Sequence, residues 1–175
     1  LLRRWYGKHP HVTLLEEAVG ATSGTQSLFM SQSNPTVSTL SQEWIDTVQE
    51  RDTSFANVEW DEAIPVTMTT LDALIAQYGQ PVFCKIDVEG YELSVLEGLS
   101  QPIQALSFEY IPATTDASLA CLSYLQGLGE YEFNWSKGES HHLQSPTWLT
   151  SAQMADVLRE MTAESGSGDI YARLP

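Results

Sequence analysis

The sequence predicts an α/β fold in which helices layer over a largely parallel sheet. Strand-like and helix-like signals alternate from Val12 to the end of the chain, and the links between them are short. Two of the strand-like runs, "VFCKID" and "ALSFEY", carry an acid at or next to their last residue. Parallel neighbours need a crossover, usually helical, so this alternation is what a parallel sheet requires. The final strand, loop, helix and strand allow an antiparallel pair at one edge.

Taken in order, "VTLLEEAVG" (Val12 to Gly20) reads as a strand with an acidic end, and "QSLFMS" (Gln26 to Ser31) as a second strand after the turn "TSGT". "SQSNPTVST" is polar and loop-like. "LSQEWIDTVQER" places Leu40, Trp44, Ile45 and Val48 on one helical face. In "VTMTTLDALIAQYGQP", Thr69 is expected to cap a helix with Asp72 in the capping-box position, and Gly79 with Pro81 closes it. The strand "VFCKID" follows, then a helix carrying Leu93, Leu96 and Leu99. After the strand "ALSFEY" (Ala105 to Tyr110) comes a helix with Leu119, Leu122, Leu125 and Leu128, ending near Gly129. "YEFNW" alternates as a half-buried strand does, Thr150 and Gln153 form a second capping box, and "DIYARL" supplies the last strand.

One domain spanning residues 1–175 is expected, since this length suffices to bury a substantial core. With 42% hydrophobic and 18% charged residues the composition is that of a globular chain. The formal charge is 8 − 23 = −15, and no basic cluster follows Arg3 and Arg4, so neither nucleic acid nor an anionic membrane is an expected partner. Cys84 and Cys121 lack metal-ligand spacing and read as buried free thiols, which fits the cytoplasm.

The informative stretch is "PVFCKIDVEGYELSVLEGL", Pro81 to Leu99. In open α/β sheets, ligands bind beyond the carboxyl ends of the strands. Asp87 and Glu89 emerge there, and Gly90 lets the backbone turn. If the extended backbone persists, Lys85, Asp87 and Glu89 point the same way. Glu109 stands at the matching end of the next strand. Convergent acids of this kind serve as a general base, a metal ligand or a holder of substrate hydroxyls. Glu92, opening a helix, is explained by the helix dipole alone.

"KIDVEGYELSVLEGL" resembles the central signature of the FkbM-like methyltransferases, a family of class I enzymes that use S-adenosylmethionine and are built on a doubly wound sheet. The similarity takes in "VTMTTLDALI" upstream and "ALSFEY" downstream, and is strong from about Ile64 to Ile111. Family members carry a "D-x-G-A-N-x-G"-like loop and a second strand ending in a ribose-holding Glu ahead of this region. Neither occurs in this sequence, and "LLRRWYGKHP" resembles the end of the helix that follows them. The expectation is therefore a partial domain that lacks the first two strands and either forms a homo-oligomer or has the missing strands replaced by another chain.

The resemblance implies methyl transfer from S-adenosylmethionine to a hydroxyl of a sugar-like or polyketide-like small molecule. It implies Asp87 as the base, with Glu89 or Glu109 orienting the acceptor. Glu17 and Ala18 in "LLEEAVG" become candidate adenine neighbours, and Lys85 is grouped with them on the cofactor side. His141 and His142 in "KGESHHLQSP", with Trp135 as a wall, are candidates for the acceptor side. No metal is assigned. Two rivals stand beside this reading: an inactive remnant or interaction domain of the same fold, and an α/β hydrolase using a metal held by Asp87, Glu89 and Glu109.

Overall fold

The computed structural model describes residues 2–175. The short link at the start makes the first two strands run in opposite directions. Strand β1 (Glu17–Val19) turns within a few residues into β2 (Gly24–Met30), too little chain for a parallel crossover. The chain then passes through helix α2 (Gln42–Arg51) into β3 (Glu62–Thr69). β3 inserts between the first two strands, parallel to β1 and antiparallel to β2. A short helix α1 (Leu2–Tyr6) precedes these elements and is exposed.

The second half carries α3 (Leu71–Tyr78), β4 (Cys84–Ile86), α4 (Glu92–Glu97), β5 (Ala105–Tyr110), α5 (Thr115–Leu128), β6 (Glu132–Lys137), α6 (Ser151–Glu160) and β7 (Gly168–Arg173). Its sheet has the order β4-β5-β7-β6, with β4 and β5 parallel and β7 antiparallel to both neighbours. The antiparallel arrangement expected at the C-terminus is present. The largely parallel sheet is corrected: among the described residues the strands form two sheets of mixed direction. β1 and β4 are outer strands of their respective sheets.

Local signals behave as their chemistry requires, with shifts of register. The capping box at Thr150 and Gln153 forms. The earlier cap falls on Thr70, not Thr69, because β3 runs on through Thr69; the Thr70 hydroxyl accepts from the Ala73 amide at 3.1 Å. The strand expected over Val12 to Gly20 contracts to Glu17–Val19.

The main core packs Leu96, Leu99 and Val95 of the α4 region, Leu122 and Leu125 of α5, and Met154 and Leu158 of α6 against Leu106, Phe108, Phe133 and Ile170 of the sheet. A second cluster gathers Val37, Trp44, Ile45, Val48 and Ile111. There Trp44 meets Phe55 and Trp60 edge-on, with centroids at 5.4 and 6.0 Å. Trp44 and Trp60 therefore anchor this cluster, whereas Trp5 is exposed on α1. Gly98 marks where the two halves meet, since any Cβ there would overlap the Gly20 carbonyl. Val82 (85% exposed) and Phe83 (49%) lead into the open edge of β4.

Candidate active site

Strand direction sets the site. β4 and β5 run parallel, so Asp87 and Glu109 arrive at the same end of the sheet. β7 runs the other way, which brings its first residues, Gly168 and Asp169, to that end. Glu109 and Asp169 are direct cross-strand partners, and Asp169 pairs Ser136 on its far side. A cleft of about 500 Å³ opens above them, bordered by Lys85, Asp87, Glu89, Glu109 and Asp169 and walled by Pro35, Thr36 and Ser38.

Extension alone does not align Lys85, Asp87 and Glu89. β4 stops at Ile86, and Glu89 turns into the left-handed region at φ 51°. That conformation costs a non-glycine residue about 1 kcal/mol, and such strain gathers at functional sites. It is held from outside: the buried Thr39 hydroxyl donates to the Glu89 carbonyl at 2.6 Å. Gly90 follows at φ 84°, pressed against Trp44. Glu92 is buried and accepts from the Gly90 amide at 3.1 Å, so it ties the same loop in addition to opening α4.

Carboxylate oxygens of Asp87, Glu89 and Glu109 all lie within 4.8 Å of one another. Lys85 Nζ donates to Asp169 Oδ1 at 2.7 Å and stands 3.4 Å from Asp87 Oδ2. Burial lowers the Lys85 pKa, but the bond and charge of Asp169, followed by Asp87, outweigh this and raise it overall. Burial, then the charges of Asp87 and Glu92, push the Glu89 carboxyl up to about 7. Burial again, followed by Glu89, Asp87, Glu92 and Asp169, pushes Glu109 up to about 8.

These shifts fix a pH dependence. Both carboxyls hold their protons more tightly in the folded chain than in the unfolded one, so between their unfolded and folded pKa values the folded state binds more protons. Their contribution is fully present below the unfolded value of 4.5 and is lost as pH rises through about 7 and 8. Unfolding free energy is expected to fall between pH 5 and pH 9 from this source, with Glu109 contributing the larger share. Urea titrations of the native chain and of Glu109→Gln check it, because the variant should lose most of Glu109's share of the slope.

The structure gathers Asp87, Glu89, Glu109 and Lys85. It does not bring the other candidates to the cleft. Glu17 is exposed and Ala18 half-buried on β1, in the other sheet. Trp135 is no cleft wall but packs against the main core, because it shares a row with Ile170. His141 is exposed and reaches the rim only through Glu139, 3.7 Å away, while exposed His142 meets the Ser140 carbonyl. Sequence reasoning missed Asp169. Its signal was an acid opening "DIYARL", a strand that had to return antiparallel to place that acid here.

A family model described as the methyltransferase FkbM domain matches residues 1–159. The chain belongs to that family. No curated protein matches it. The resemblance read from "KIDVEGYELSVLEGL" is thus confirmed, and the FkbM signature maps onto β4, the strained turn and α4. FkbM membership makes the chain a methyltransferase by family. Among the described residues no helix is long and apolar enough to cross a membrane.

Proposed function

We propose that the chain moves a methyl group from S-adenosylmethionine to a hydroxyl of a small molecule of sugar or polyketide type, in the cytoplasm. The observation that carries this reading is the convergence of Asp87, Glu89 and Glu109 in one cleft within 4.8 Å. The residues present suit the donor: five acids line the cleft with one lysine, and even with Glu109 protonated this field favours a cationic sulfonium. When bound, the donor supplies a methyl group already activated for in-line attack, so positioning provides most of the acceleration.

The protein's part is the proton. A base works best with a pKa near the working pH, and Glu89, at about 7, meets that condition. Asp87, the first choice on sequence, is occupied by Lys85 at 3.4 Å and serves to fix the lysine and the field. Glu109, at about 8, keeps its proton at neutral pH and so donates a hydrogen bond to the acceptor oxygen.

Titration calorimetry with S-adenosylmethionine tests the reading. Heat of binding is expected with the native chain and weaker binding with Asp87→Asn; no heat with the native chain would falsify it. The same three carboxylates have the spacing of a divalent-cation site, which favours metal-assisted hydrolysis as the second reading. Heat with magnesium or manganese and none with the sulfonium donor would select that alternative. We also propose self-association through the open edge of β4, which sedimentation of a compact monomer would overturn.

A further inference from the structure

A cavity of about 10 Å³ that shares only Glu109 with the lining of the cleft is bordered by Trp44, Glu92, Glu109 and Ser118. Two buried side-chain atoms without a hydrogen-bond partner among the described residues, Trp44 Nε1 and Glu109 Oε2, belong to residues on its wall. One is a donor only and the other accepts. Leaving such groups unpaired costs about 1–3 kcal/mol each. A cavity of this size is at the threshold for one water molecule, which needs two or more polar partners.

The indole has no freedom to look elsewhere. Trp44 is 3% exposed, Phe55 and Trp60 hold its ring, and the Ser41 hydroxyl accepts from its backbone amide at 3.0 Å. Glu109 borders both the cavity and the cleft.

We propose that this cavity is a built water site, through which Trp44 fixes the Glu109 carboxyl. The water accepts from the indole N–H and donates to Glu109 Oε2. Trp44 is then a positioning residue, and the segment between β2 and β3 governs two acids of the cleft: Glu89 through Thr39, and Glu109 through Trp44. That the fixed carboxyl serves methyl transfer rests on the function proposed above; the water site itself does not.

The test combines two readouts. In water–protein NOE spectra of the native chain, the Trp44 indole proton is expected to show a cross-peak to a long-lived water. Ser118→Val, which fills the cavity, should abolish that peak and shift the Glu109 carboxyl carbon. Should this variant not fold, Trp44→Phe removes the donor and should shift the same carbon. In methyl transfer, the folded variant should lose about tenfold in turnover while donor affinity stays within twofold, the split expected of lost positioning. A native spectrum without the water cross-peak overturns the site. A cross-peak with an unmoved Glu109 signal overturns the positioning role. An inactive native chain that shows both NMR effects leaves the water site standing and sinks only the methyltransferase reading.

Discussion

Glu89→Gln is expected to lower methyl-transfer turnover by a factor of about 10²–10⁴, the range a positioned base contributes. Glutamine keeps the size of the side chain and its hydrogen-bonding reach but accepts no proton. Of the three converging acids, Glu89 alone combines a pKa of about 7 with a place in the cleft. Glu109 is protonated at neutral pH and Asp87 is paired with Lys85. The native rate should therefore rise with pH through about 7 as Glu89 loses its proton, and the rise should vanish in the variant. Donor affinity should change little, because the substitution removes a group that acts at the acceptor. Single-turnover rates across pH decide this; an unchanged rate in Glu89→Gln removes the base assignment.

Gly90→Ala should cost about 3 kcal/mol or more of folding free energy, the scale of severe overpacking combined with a backbone outlier. Two effects add. The backbone sits at φ 84°, where any side chain is strained, and a Cβ would overlap Cδ1 and Cγ of Trp44. Trp44 cannot retreat, since it is 3% exposed and wedged between Phe55 and Trp60. Chemical denaturation measures the loss. A cost below 1 kcal/mol would mean that the turn has slack, and the rigid placement argued for Glu89 would lose its support.

The strand ends were legible because their chemistry is local. An apolar run breaking into acids before a glycine states both the end of β4 and the start of a site, and "ALSFEY" forms a strand over those six residues. Sheet direction was not legible to the same degree. Whether β3 enters between β1 and β2 depends on pairing across more than 30 residues, which no local pattern encodes. The same limit hid Asp169, which reaches Lys85 only after β7 turns back between β5 and β6. The histidines misled for the opposite reason: a polar loop announces exposure clearly but carries no information about which way it leans. Even Glu89 converged by a turn that extension would not predict, so the grouping was foreseen while its backbone geometry was not.

β7 occupies an inner place in its sheet, with β5 on one side and β6 on the other. The match to the FkbM family model stops at residue 159, before that strand begins at Gly168. A chain trimmed to the recognisable span would lose the ladder joining β5 to β6 and the carboxylate nearest Lys85. The folding unit therefore extends past the matched span, and the last sixteen residues complete it.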